Sequence, residues 1–198
     1  MRKQRRSRSS WFAWLLALAA ASAAGAADAP QLKAGVFDPP RMAPDFALRG
    51  SNGGELALSR LRGKVVVLGF GFTSCPDVCP TTLATLASAH KKLGERGGEV
   101  QIVYVTVDPE RDDPERMRTY LKSFDPSFLG GTGTAAELEA VRNEYGIAAQ
   151  RIAKGESYAF DHSSYTYLID RAGRLRALMP YGSSSDAYVH DLLILLAP

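Results

Sequence analysis

Cys75 and Cys79 are the only cysteines of the 198-residue chain, and they stand in Phe72-Thr73-Ser74-Cys75-Pro76-Asp77-Val78-Cys79-Pro80. Two thiols with three residues between them admit four kinds of chemistry. A structural disulfide here would close a tiny loop, where cross-linking removes little entropy from the unfolded chain. A dithiol redox centre more usually has two intervening residues. Structural zinc wants four closed ligands, and the chain offers two cysteines and three histidines. A soft metal ion held by two thiolates and one further donor fits the inventory best. Thiolates select Cu(I), and imidazole also suits copper.

The third donor has to come from His90, His162 or His190. His90 follows Cys79 by eleven residues, about three helical turns away, and reads as a surface or half-buried helix residue. His190 lies beside Asp191 among apolar neighbours in the last expected helix. His162 is placed differently. It stands in Asp161-His162-Ser163-Ser164 just before an apolar strand, and loops at strand ends present polar groups from a rigid scaffold. Asp161 or a backbone carbonyl would orient its ring.

These residues need elements to hold them. Lys64 to Phe72 is a continuous, mostly apolar run rich in β-branched residues and Glu99 to Val107 is a second such segment, as expected of strands buried on both faces. The cysteines follow the first run, where a helix from about Pro80 to Arg96 begins, and a helix start stabilises thiolate. If the segment is helical, a spacing of four puts both sulfurs on one face. Helices are also expected over Asp113 to Phe124, Thr134 to Tyr145 and Asp186 to Ala197. Asp45 to Leu58 reads as a small hairpin, and Tyr165 to Asp170 with Leu175 to Met179 as an antiparallel pair. The segment from Ala149 to Phe160, with Gly155, reads as a mobile loop carrying His162. Gly130-Gly131-Thr132-Gly133 reads as a flexible turn, and Asp112 to Arg118 as a solvated, charged helix start. The order of elements indicates an α/β fold, a mixed sheet flanked by helices.

Composition bounds the rest. Of the 24 basic residues five lie within the first eight positions, and no acid precedes Asp28, so the remainder carries two more acids than bases. The formal charge of +3 therefore belongs to the leader, and a nucleic-acid partner is excluded on charge. Trp11 to Ala24 is mostly apolar and Ala24-Gly25-Ala26-Ala27 is small, the pattern of a secretory signal. Residues 1–27 are thus a signal peptide or an N-terminal inner-membrane anchor, and the folded part is periplasmic or periplasm-facing. Residues 28–44, rich in Pro and Ala, read as a linker, which leaves 45–198 as the domain.

The cysteine segment, Val107-Asp108-Pro109-Glu110-Arg111-Asp112, and Asp161-His162-Ser163-Ser164 before an apolar strand resemble, in this order, the SCO/SenC family. The resemblance covers nearly all of residues 44–197. It implies a thioredoxin-like fold with an extra N-terminal β-hairpin. It implies Cys75, Cys79 and His162 as copper ligands, and Asp108 as a family acid near the site or a cap of the next segment. Its implied partners are a copper donor and the copper-receiving subunit of cytochrome c oxidase, whose binuclear copper site is supplied.

Two neighbouring chemistries fit less well. Thioredoxin-type enzymes usually set a cis-proline opposite their cysteines, yet no proline occurs between Pro126 and Pro180. Peroxiredoxin-like enzymes share Asp45-Phe46-Ala47-Leu48 and the Gly63-Lys64 strand entry, but their peroxidatic motif is not reproduced before Cys75. The expectation is a metallochaperone rather than an enzyme. The rival is a thiol–disulfide oxidoreductase that keeps partner cysteines reduced for metallation, since two nearby low-pKa thiols can cycle to a disulfide.

Overall fold

The two apolar runs lie side by side in parallel register, Val65 against Val100 and Gly71 against Thr106, and every residue between these bounds is buried. The computed structural model describes residues 31–197, so the leader expected over 1–27 lies outside the described residues. In chain order the strands are β1 (Gly35–Met42), β2 (Ala47–Gly50), β3 (Glu55–Ala57), β4 (Val65–Gly71), β5 (Val100–Thr106), β6 (Leu129–Thr132), β7 (Ala149–Lys154), β8 (Ser157–His162), β9 (Thr166–Ile169) and β10 (Arg174–Met179). The α-helices are α1 (Val78–Lys92), α2 (Pro114–Lys122), α3 (Ala135–Tyr145) and α4 (Ser185–Leu196).

Eight strands make one mixed sheet in the order β1-β10-β9-β4-β5-β6-β2-β3, and β7 pairs only with β8. Neighbours β4, β5 and β6 run parallel, while the flanking pairs are antiparallel. Strand residues alternate between faces. Gly69 and Gly71 therefore face α1, which packs on α4, while Phe70 faces α3 and meets Tyr145 at 5.7 Å between ring centroids. No helix among the described residues is long and apolar enough to cross a membrane.

Local chemistry sets the ends of α2 and α3 much as expected, whereas the helix expected to reach Arg96 ends at Lys92 and gives way to a 3-10 segment over Gly94–Glu99. Asp113 caps α2 with Pro114 in its first turn, and Thr134 and Glu137 form a capping box on α3. Gly146 ends α3 at φ 66°, a left-handed conformation that glycine adopts without a Cβ clash. The hairpin β2–β3 and the pair β9–β10 also form as expected.

Three segments differ. The expected linker 28–44 contains β1, which pairs with β10, so the folded unit starts before residue 45. Its prolines sit where the register shifts between Val36 and Arg41, and an edge strand tolerates residues that cannot donate to a ladder. The expected turn at Gly130-Gly131-Thr132 is strand β6. A Cβ on Gly130 would come within 3.0 Å of Met117 and Leu121, so glycine there admits close approach of α2. The expected loop from Ala149 to Phe160 is the hairpin β7–β8, turning through Gly155 at φ 62°.

Candidate metal centre

β4 delivers the chain to Phe72, and a turn in which the Cys75 amide donates to the Phe72 carbonyl (3.3 Å) leads into α1. Cys79 is in the first turn of α1 and buried, whereas Cys75 precedes the helix and is partly exposed. The two sulfurs are thus not stacked on one helical face, as the spacing suggested. The turn folds Cys75 back towards the helix start instead, near enough for Cys79 to govern its titration.

The third residue arrives from the far end of β8. His162 Nε2 lies 3.6 Å from Cys79 Sγ. Its Nδ1 is 2.9 Å from the Ser163 carbonyl, which can only accept, so Nδ1 carries the proton and Nε2 faces the sulfur. Phe72 sets the ring from the side, edge-on at 5.9 Å between centroids. The orienting partner is therefore the backbone carbonyl and not Asp161. Asp161 is exposed, and strand alternation turns it to the opposite face of β8 from His162.

Asp108 is 1% exposed at the end of β5. Its carboxylate accepts from Arg111 Nε and, at 3.0 Å, from the Tyr158 hydroxyl. It ties the loop after β5 to the hairpin that carries His162, and it makes no described contact with either sulfur. The other two histidines are engaged elsewhere. His90 contacts Asp125 and the Gly97 carbonyl, and His190 contacts Asp191.

Electrostatics separate the two thiols. The hydrogen bond from Cys79, backed by the Asp77 and Cys79 amides, outweighs burial and lowers Cys75 from 9.0 to about 5. Cys79 is pushed far up, first because its proton serves Cys75 and then by burial, with Tyr104 and the Phe72 backbone opposing. At neutral pH the pair therefore shares one proton, with Cys75 as thiolate and Cys79 as thiol. Among the described residues no group of three or more His, Cys, Asp and Glu side chains is already closed around a metal position. The donors are linked pairwise, Cys75 to Cys79 and Cys79 to His162.

Sequence reasoning missed three supports. Asp112, expected on a solvated helix start, is fully buried and accepts from the Thr73 amide and from the Thr73 and Thr106 hydroxyls. Tyr104 is buried in β5 and hydrogen-bonds Cys79. Gly71 leaves the space for that contact, since a Cβ there would strike the Tyr104 hydroxyl and stand 2.8 Å from Cys79 Sγ. A glycine in a buried strand is the one available signal, because it marks close approach.

The SCO1/SenC family matches residues 36–197. A SCO2-like protein of Rickettsia prowazekii is 38% identical over 132 residues, 65% of this chain and 64% of the relative, so the match spans just under two thirds of that relative's length. ScoI of Bradyrhizobium japonicum, solved with copper bound, is 34% identical with a TM-score of 0.73, covering 78% of this chain and 99% of that one. Apo Sco1 of Thermus thermophilus is 38% identical with a TM-score of 0.76, covering 84% and 98%. The fold is accordingly thioredoxin-like, with the expected N-terminal hairpin. With the match running through both cysteines, Asp108 and His162, the chain belongs to the SCO1/SenC family.

Proposed function

We propose that this protein is a copper chaperone that holds Cu(I) between the Cys75 and Cys79 thiolates and the His162 imidazole. The observation that carries the reading is that the His162 Nε2 lone pair is turned to the Cys79 sulfur at 3.6 Å, beside a Cys75 held as thiolate. Two soft thiolates and an imidazole suit Cu(I). A relative at 34% identity has been solved with copper bound. A small inward movement of the Cys75 turn and the β7–β8 hairpin closes the pairs around one ion. Three ligands leave one side open, so an incoming thiolate displaces them stepwise and copper is never free. The cargo comes from a copper donor protein and passes to the binuclear copper site of cytochrome c oxidase. The basic and apolar leader places this exchange on the periplasmic side, with the N-terminus as signal or inner-membrane anchor.

An anaerobic Cu(I) competition titration of the reduced protein beside His162→Ala tests the proposal. Tight one-to-one binding that weakens strongly in the variant is expected. Wild-type copper occupancy in a Cys75→Ala/Cys79→Ala double variant would falsify it.

A second reading, thiol–disulfide exchange, is favoured by one observation: a partly exposed, low-pKa Cys75 beside a buried Cys79. Cys75 thiolate would attack a partner disulfide, and Cys79 would then resolve the mixed disulfide, reducing the partner by two electrons as the pair oxidises. That activity needs no His162, so turnover unchanged in His162→Ala together with weak Cu(I) binding would select it.

A further inference from the structure

Strand alternation puts Tyr158, Phe160 and His162 on one face of β8. Those three side chains connect the hairpin to the body of the protein. His162 meets Cys79, Phe160 lies edge-on to Phe72 at 5.8 Å, and Tyr158 lies edge-on to Phe160 at 5.9 Å. A two-stranded hairpin alone is marginal in water, and β7 and β8 pair only with each other. Something beyond its own ladder must seat it.

Tyr158 is gripped at its ring, its hydroxyl and its carbonyl. The Arg111 guanidinium is 3.8 Å from the ring centroid and that of Arg151 is 3.5 Å. Two cations at that range cannot share one face, so the ring is sandwiched. The hydroxyl donates to Asp108 at 3.0 Å and lies 3.2 Å from Glu110 Oε2. The Tyr158 carbonyl accepts from Arg111 Nη1 at 3.2 Å, and Arg151 donates to Glu110 at 2.8 Å. Asp108, Glu110 and Arg111 all belong to the loop between β5 and α2, which the same chain segment anchors through buried Asp112.

We infer that Tyr158, clasped by Arg111, Arg151 and Asp108, is the positioning residue that seats the His162 imidazole at Cys79. Opening this clasp withdraws the imidazole while the cysteines stay on the main fold. The consequence for copper rests on the function proposed above; the placement of the ring does not.

The reduced, metal-free protein is compared with Tyr158→Ala and Tyr158→Phe by NMR cross-peaks between the His162 and Phe72 rings and by hydrogen exchange of the β7–β8 amides. Tyr158→Ala is expected to lose the cross-peaks and to exchange roughly tenfold faster or more, as local opening becomes easier. Tyr158→Phe keeps the cross-peaks, because a ring still fills the gap between the guanidiniums. After Cu(I) loading, Tyr158→Ala weakens binding by roughly 10–100-fold, the range for groups that orient a ligand. Combining it with His162→Ala adds nothing further. Cross-peaks that persist in Tyr158→Ala overturn the inference. Should that variant fail to fold, Arg111→Gln carries the test: loss of the cross-peaks supports the clasp, and their persistence overturns it. If the cross-peaks vanish but neither Tyr158→Ala nor His162→Ala alters Cu(I) affinity, the positioning role stands and the donor role of His162 fails.

Discussion

Asp112 and Thr73 lie 39 residues apart in sequence, yet the carboxylate takes both the amide (2.9 Å) and the hydroxyl (2.6 Å) of Thr73. Asp112 follows β5, and Thr73 opens the turn that carries Cys75. A buried carboxylate therefore fixes the start of the cysteine turn from the neighbouring strand's loop, and Arg116 secures the same turn by donating to the Thr73 and Ser74 hydroxyls at 2.7 and 3.0 Å.

Replacing Asp112 by Ala strands the Thr73 amide and the Thr106 hydroxyl, both now without acceptor. Leaving buried donors unpaired costs about 1–3 kcal/mol each. Because about 1 kcal/mol moves Tm by about 2–4 °C in a domain of this size, a thermal melt should show a fall of about 4–24 °C. Asp112→Asn, which keeps one acceptor oxygen, should recover part of that loss. A melt unchanged in Asp112→Ala would show that the turn is held without it.

Cys75 has its thiol lowered to about 5 from 9.0, so its thiolate is present above that pH and lost as the pH falls through it. Alkylation rates follow thiolate content. Iodoacetamide labelling of the folded, reduced protein at Cys75 should be flat from about pH 6 to 8 and fall towards pH 5 and below, as the thiolate is protonated. In the urea-unfolded chain the rate should instead climb about tenfold per pH unit across that range. Cys79 should label only on unfolding. A folded-state profile matching the unfolded one would mean that the Cys79 hydrogen bond does not hold the thiolate.

Copper binding should release protons in a defined number. With Cys75 already a thiolate and Cys79 still a thiol, Cu(I) displaces one cysteine proton near neutrality. Apparent affinity should therefore rise about tenfold per unit between about pH 7 and 8.5, the direction expected when a metal competes with a proton for its ligand. Potentiometric release near one proton per ion checks this, and release near two would show that both thiols are protonated beforehand.

Gly71→Ala drives a methyl group into the Tyr104 hydroxyl and against Cys79 Sγ at 2.8 Å. Overpacking of this kind typically costs about 1–3 kcal/mol. Removing the hydroxyl as well, in Gly71→Ala/Tyr104→Phe, should relieve part of the clash, so the double variant should be more stable than the two single effects added together. Additive denaturation midpoints would place the methyl group elsewhere.

How much of this was legible depends on whether a residue's role is local. The β-branched runs of β4 and β5, the Thr134 cap and Gly146 at the end of α3 are set by neighbours in sequence, and they form as read. The pairing of Cys75 and Cys79 was legible too, although its geometry was not, because the helix starts at Val78 and leaves Cys75 in the turn. Asp112 looked solvated because it stands among charges, while its partners Thr73 and Thr106 come from two strand ends. Gly130 and Gly131 looked flexible, whereas they are small so that Met117 and Leu48 can approach. β1 was hidden in a proline-rich stretch because an edge position removes the penalty that proline carries inside a sheet. Tyr158 offered no signal at all, since its two cations are brought to it only by the fold.

The hairpin β7–β8 has no ladder to the eight-stranded sheet, and both it and the cysteine turn are held from the loop after β5, the hairpin through Asp108 and Arg111 and the turn through Asp112. Cys79, seated in the core, is the fixed post, and the elements carrying Cys75 and His162 meet it from either side. If copper is held as proposed, a donor that lets go stays covalently tethered at an effective concentration of about millimolar or more, so it rebinds before the cargo can diffuse away. Only a competitor already docked at the open side can outpace that return. On the proposed function, retention in solution and release on encounter would follow from one arrangement, and losing Cys79 would break both contacts where losing either neighbour breaks one.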